Sequence, residues 1–363
     1  MSRSGGWAAA AALTVGLAAI VAGLAIAPTA LERWAVGTTS RSLAWGPWLF
    51  KALLVWHGAL CLWLARVMAR QHPASVSRTP DARHGTPVAP MYSAGMAAMI
   101  AAAVAIRVYR LDTGLWLDEI RTLVDFIRQP FHLIVSSFPS QNQHPFYSVV
   151  AHASVLAFGE SAASIRLPAA LFGVASIWAL WRLGRLVTTP REAFLACLLL
   201  TVSYHHVWFS QNARGYTGLL FLATLSTSLW LEASDRRSLG LWVTYAVVVA
   251  FGLWTHATMA LVLFGHGLVF LLTMPHGWRQ GGGAAWSPFG ALLLGGSLAL
   301  QLHALALPEF FGVALHEASA GAEWTTPAWA IRELVARLAD GGVTAGAAVA
   351  ALAVLLSGVS DLS

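Results

Sequence analysis

The sequence predicts an all-α integral membrane protein of about ten transmembrane helices, with interfacial amphipathic helices in its outer loops. Three observations lead there. Of 363 residues, 57% are hydrophobic and only 10% are charged, against about 25% charged in an ordinary soluble domain. Uncharged or nearly uncharged apolar runs recur along the chain, many of them long enough to cross roughly 30 Å of hydrocarbon. Arginines gather in alternate turns between those runs, the pattern of cytoplasmic loops, and the net charge of +6 follows from them. No basic stripe is interleaved with aromatics, so that charge does not point to nucleic acid. Cys61 and Cys197 each lie inside an apolar run and read as packed thiols, with no disulfide framework or cysteine-based zinc site available.

In chain order, residues 7–31 carry no charge and form the first span. Arg3 and this run also fit a signal peptide, but the run exceeds the usual h-region of about 7 to 15 residues, which favours a retained helix. Residues 45–66 form a second span, with Lys51 snorkelling or facing other helices. The following loop holds Arg66, Arg70, Arg78 and Arg83 and is expected in the cytoplasm. A third span at 91–106 returns the chain to the outside.

Residues 109–147 then break the apolar pattern. Asp112, Asp118, Glu119 and Asp125 crowd together in a chain with only 16 acidic residues. Ile120, Leu123, Val124 and Ile127 fall at i, i+3, i+4 and i+7, which predicts an amphipathic helix with Arg121, Asp125 and Arg128 on its polar side. Trp116 and Phe126 flank it and Pro130 ends it, so it should lie in the interface. Asp118 reads as its N-cap and Glu119 as a first-turn charge favourable to the helix dipole.

The segment 145–158 is about 21 Å long as a helix, short for a crossing. Counting it as a span would put Arg182, Arg185 and Arg191 outside, so it reads as an interfacial or re-entrant helix begun by Pro145. Spans are expected at 165–186, 192–208, 215–231, 239–255, 257–274 and 284–307. An outer loop with Glu309, His316, Glu317 and Glu323 leads to an amphipathic helix at 331–338 and a last span at 343–356.

Under this topology Asp118, Glu119, His144, His205, His206, Gln211, Arg214 and His256 collect at the outer ends of helices. Ionisable groups at membrane depth are costly, so their gathering on one side is informative. Each also has a plainer reading: Arg214 as a headgroup anchor, the histidines as hydrogen-bonded interface side chains. No His-x-x-x-His spacing is present to favour a metal.

Six motifs occur in order: Trp116-Leu-Asp-Glu119, Gln143-His-Pro-Phe-Tyr147, Gly159-Glu-Ser161, Arg166-Leu-Pro-Ala-Ala-Leu-Phe-Gly173, Val207-Trp-Phe-Ser-Gln-Asn-Ala-Arg-Gly-Tyr216 and Leu253-Trp-Thr-His256. Together they resemble the polytopic glycosyltransferases of the dolichyl-phosphate-mannose protein mannosyltransferase superfamily, in its bacterial, glycosyltransferase-39-like branch with the GT-C fold. The resemblance covers roughly residues 90–275. It implies a hexosyltransferase in the inner membrane, its active site facing the periplasm or exterior. The donor would be a polyprenyl-phosphate-linked sugar and the acceptor a protein, lipid or cell-envelope glycan. Residues 1–90 become an N-terminal extension of two spans and a basic loop, and residues 91–363 the catalytic domain. Relatives commonly continue beyond Leu356, so the resemblance also implies an acceptor region cut short.

Carried onto this chain, the family's acidic motif falls on Asp118 and Glu119 as catalytic groups. Its His-Pro-Pro-type motif falls on His144 and Pro145, with Phe146 replacing the second proline. Its Ser-Gln-Glu-Ala-Arg-x-Tyr pattern falls on Ser210 to Tyr216, with Asn212 where glutamate is usual. Arg214 and Gln211 would hold the donor phosphate. His144, Tyr147, His206, Tyr216 and His256 would line the substrate pocket. A divalent metal stays open, with Glu119, His144 and His256 as candidate ligands. The chemistry suits these residue types: a carboxylate can deprotonate the acceptor hydroxyl, and a cation can hold the charge of the departing phosphate. A transporter or flippase for a lipid-linked substrate would more naturally carry broken helices and charges near the bilayer midplane. An inactive structural relative is the other alternative; intact Asp118, Glu119 and Arg214 argue for an enzyme.

Overall fold

The computed structural model describes residues 3–37, 42–70, 90–236, 238–279 and 286–319, with isolated positions 329, 332, 333 and 336. All regular structure among them is helical. In order these are α1 (Arg3–Ala25), α2 (Pro28–Val36), α3 (Gly46–Arg70), α4 (Pro90–Val108), α5 (Leu117–Arg121), a π-helix (Thr122–Ile127), α6 (Phe131–Ser136) and α7 (Pro145–Phe158). There follow α8 (Ala162–Val187), α9 (Pro190–Val202), α10 (Tyr204–Ser210), α11 (Tyr216–Arg236), α12 (Leu239–Thr255), α13 (Met259–Arg279), α14 (Trp286–His303) and α15 (Leu307–Ser319). The chain divides into two compact units, Met1–Glu309 and Phe310–Ser363, and the architecture below is that of the first. The expected span at 343–356 and most of the amphipathic helix at 331–338 lie outside the described residues.

By length and composition, three described helices can cross a membrane: Gly46–Arg66 within α3, Pro90–Val108 and Ala162–Val187. The number rises to 6 if each bent helix pair counts as one span, against the expected total of about ten. α7, α12 and residues 259–273 of α13 are apolar but shorter. Two expected single spans are broken. Residues 7–31 bend by 89° between α1 and α2, where Pro28 opens the new helix. Lys51 donates to the Ile26 carbonyl at this break, so of the two expected readings it is the one facing other helices that holds. Residues 192–208 bend by 60° between α9 and α10 at Ser203, whose side chain caps α10 by accepting the His206 N–H.

α8 is the central helix, packed on α4, α7, α9, α10 and α11. Ser161 and Ser164 cap its start reciprocally. Pro168, inside the helix, has no N–H for the Ser164 carbonyl four residues back. Ser154 of α7 donates its hydroxyl to that carbonyl at 2.7 Å. Tyr147, wholly buried, donates to the next carbonyl, Ile165, at 2.6 Å. Leu123, Ile127, Tyr147, Ala151, Ile165 and Ala169 form the apolar core beneath this junction.

The amphipathic helix forms, but its buried face is rotated from the expected one. Leu123 and Ile127 are buried as expected, whereas Ile120 is 45% exposed and Val124 43%. The inward places belong to Glu119, Thr122 and Phe126. The turn also widens to π geometry, with Arg128 N–H reaching Leu123 O at 3.0 Å. Sequence periodicity scored only apolar side chains, and the inward face here is set by a carboxylate.

Candidate active site

That carboxylate is Glu119, with 0% of its surface exposed. Arg166, on the second turn of α8, grips it bidentately: Nε to Oε1 at 2.7 Å and Nη2 to Oε2 at 2.6 Å. Oε1 also accepts the Ala213 N–H at 2.7 Å, and Oε2 the Trp116 N–H at 3.3 Å. The remaining Arg166 donors reach the carbonyls of Leu111, Thr113 and Gly114. Four donors meet an acceptor group with about four lone-pair sites, so Glu119 has no lone pair to spare. It ties α5, α8 and the 211–215 turn together.

Asp118, one residue earlier, faces the other way. The helix starts at Leu117 with Trp116 as N-cap, so the expected N-cap role of Asp118 does not hold; Glu119 accepts the cap N–H instead. The Asp118 side chain is 34% exposed, and its carboxylate lies 3.9 Å from Nη1 of Arg214. Arg214 is itself buried. Its Nη1 donates to Asn142 Oδ1 and its Nη2 to Tyr216 OH at 3.2 Å, while Nε has no partner among the described residues. The tight turn that presents Arg214 is closed by its own N–H bonding Asn212 O at 2.7 Å. Gly215 follows because a Cβ there would stand 3.0 Å from His144 Nδ1.

His144, Tyr216 and His256 form an aromatic wall beside the guanidinium. His144 stacks on His256 at 5.0 Å and meets Tyr216 edge-on at 5.3 Å, and Tyr216 lies 5.7 Å from His256. His144 Nδ1 sits 3.2 Å from the Thr255 carbonyl, which can only accept, so Nδ1 carries the proton. Nε2 is then a lone-pair acceptor, buried and without a partner among the described residues. Burial, then the Arg214 guanidinium, then His256 push the His144 pKa down to about 3, so the ring is neutral. His256 Nδ1 accepts the Thr258 N–H at 3.2 Å, which leaves its proton on Nε2. Its pKa is also lowered, by burial and then by Arg214.

The other expected site residues bond elsewhere. Gln211 donates to the carbonyls of Ile106, Arg107 and Tyr109 and so caps the end of α4. His206 pairs through Nδ1 with Arg107 at 2.7 Å, beside the α9–α10 break. Tyr147 is spent on docking α7 to α8. Asn142 and Arg166 have roles that sequence reasoning missed, although an arginine opening an apolar run was a usable signal. Asn212, the departure from the family pattern, accepts from Trp116 Nε1 at 2.8 Å and donates to Trp208 O at 2.7 Å. An amide can do both, whereas the ionised glutamate usual at this place could only accept. Among the described residues no three His, Cys, Asp or Glu side chains are grouped to hold a metal ion. Glu119 and Nδ1 of His144 are moreover already committed, so Glu119, His144 and His256 do not make a fitting ligand set.

The apolar helices and this buried polar group define a polytopic α-helical membrane protein with a charged site where helices meet loops. Residues 142–294 match the family model for dolichyl-phosphate-mannose-protein mannosyltransferase. The match supports the superfamily resemblance seen in the motifs, and with it a membrane glycosyltransferase of the mannosyltransferase kind. It includes His144, Arg166, Arg214, Tyr216 and His256, while Asp118 and Glu119 lie ahead of it. No curated protein matches the chain.

Proposed function

We propose that this chain moves a sugar from a polyprenyl-phosphate carrier to an acceptor hydroxyl at the non-cytoplasmic face of the inner membrane, with Asp118 as the base. One observation carries the reading: a solvent-reaching carboxylate 3.9 Å from a buried arginine, next to a second carboxylate fully engaged in structure. Without donor, Asp118 is the nearest counter-charge to Arg214. A donor phosphate takes that place and frees the carboxylate. The acceptor hydroxyl gives its proton to Asp118, its oxygen bonds the anomeric carbon, and the carbon–oxygen bond to phosphate breaks with inversion. The phosphate leaves with the bonding electron pair, its charge met by Arg214 and the Nε2–H of His256. The unpartnered Nε2 of His144 accepts from a sugar hydroxyl.

The face assignment rests on arginine placement. Arg66 and Arg70 close α3, Arg182 and Arg185 fall in the last turns of α8 and Arg191 opens α9, helix ends that the positive-inside rule assigns to the cytoplasm, while α8 carries Arg166 at its opposite end. The test is transfer of label from a polyprenyl-phosphate sugar to an acceptor fraction by membranes carrying the protein. Asp118→Asn should insert normally, still bind donor, and lose a factor on the order of 10² to 10⁴ in turnover. No transfer by the unaltered protein would overturn the activity; near-normal turnover by the variant would overturn the base.

A further inference from the structure

α8 has a second polar region at its other end. Trp178, Trp181, Arg182 and Arg185 fall at i, i+3, i+4 and i+7 and therefore share one helix face. Glu232 and Arg236, one turn apart on α11, lie opposite, and these six residues with Leu186 line a cleft of about 280 Å³. Its walls carry three arginines and one carboxylate. That carboxylate is already bound, since Arg182 Nε donates to Glu232 Oε1 at 2.8 Å. The Nη groups of Arg182 and the guanidinium of Arg236 have no partner among the described residues. Arg182 lies 5.8 Å from the Trp178 ring centre and Arg185 5.7 Å from that of Trp181, contacts that hold the cations in place.

The guanidinium donors left over on Arg182 and Arg236 call for an anion, and guanidinium forks fit phosphate oxygens. The volume falls below the usual range for whole small ligands, about 300–1,000 Å³, and suits a headgroup. Trp178 is exposed and Leu186 lines the same cleft, leaving an apolar flank for acyl chains. Tryptophans concentrate at the depth where headgroups meet chains, and basic clefts between transmembrane helices receive anionic headgroups. Arg182 lies sixteen residues beyond Arg166, roughly 24 Å along the helix, so the cleft is separate from the Asp118–Arg214 site.

We propose that this cleft binds the phosphate headgroup of an anionic phospholipid, in the leaflet opposite the one where sugar transfer takes place. The leaflet assignment rests on the proposed transfer at the outer face; the binding itself shares no residue with the transfer site and is tested separately from it. The full chain is reconstituted in phosphatidylcholine discs with and without phosphatidylglycerol, and retained lipid and thermal unfolding are measured. Phosphatidylglycerol should be retained and should raise the unfolding temperature. Arg236→Gln, which leaves the Arg182–Glu232 pair intact, should weaken retention about fivefold, and adding Arg182→Gln about fivefold more. Arg191→Gln removes the same charge nearby without touching the cleft and should leave retention unchanged. Equal retention by the Arg236 variant, or an equal loss in the Arg191 variant, would overturn the site. A stability gain from inorganic phosphate alone in phosphatidylcholine discs would assign the cleft to a soluble phosphate compound and overturn the lipid.

Discussion

Asp118 and Glu119 are neighbours on one turn, yet about 100° of helix rotation gives them different environments. Glu119→Gln would leave the buried Arg166 without its counter-charge, and breaking such a pair costs about 3–5 kcal/mol. Thermal unfolding in detergent should therefore show a large loss for Glu119→Gln and little for Asp118→Asn; equal stabilities would remove Glu119 from its structural role. Arg214→Ala should weaken donor binding by about 2–5 kcal/mol, with Arg214→Lys recovering only part, since lysine keeps charge but not the fork. Unchanged donor affinity in the alanine variant would reduce Arg214 to a packing residue. His144 supplies a pH signature. Its folded pKa of about 3 lies below the unfolded value, so its full contribution holds above about pH 6.5 and declines as pH falls towards 3. The slope is up to about 1.4 kcal/mol per pH unit, and His144→Gln should flatten the stability curve between pH 6.5 and 4 relative to the unaltered protein. Parallel curves would contradict the neutral, buried ring.

At the scale of elements, the junction of α7 and α8 turns on one missing N–H. The Ser154 hydroxyl serves the carbonyl that Pro168 leaves without its helical donor. Ser154→Ala should cost about 1–3 kcal/mol by stranding that carbonyl. In a Pro168→Ala background the helix regains its donor and the same change should cost much less. A double-mutant cycle in thermal unfolding measures this, and a cost independent of residue 168 would refute the assignment. The junction matters to function because α7 begins at Pro145, directly after His144, and α8 carries Arg166. The wall of the site and the anchor of Glu119 are set by the same contact.

For the whole molecule, α8 acts as an axis with the Glu119–Arg166 pair at one end and the arginine–tryptophan cleft at the other. The two ends should lie on opposite sides of the membrane. Single cysteines replacing Asp112 and Arg191, in a background with Cys61→Ala and Cys197→Ala, should label with impermeant reagent from opposite faces. Labelling of both from one face would overturn the topology and the assignment of transfer to the outer surface.

Composition and hydropathy by themselves established a helical membrane protein, and most expected spans coincide with helices to within a few residues, as at 239–255. The ordered motifs named Asp118, His144, Arg214, Tyr216 and His256, which the fold brings into one group. Such features are local: an apolar run or a short motif carries its signal within a few turns of chain. Tertiary structure alone decided that Glu119 pairs with Arg166 across 47 residues and that Arg214 meets Asn142 across 72. It also sent Gln211, His206 and Tyr147 to structural partners, and broke two expected spans at Ser203 and before Pro28. These outcomes depend on the rotational phase of each helix and on which orphaned donors and acceptors its neighbours can satisfy. Neither quantity exists until the helices are packed.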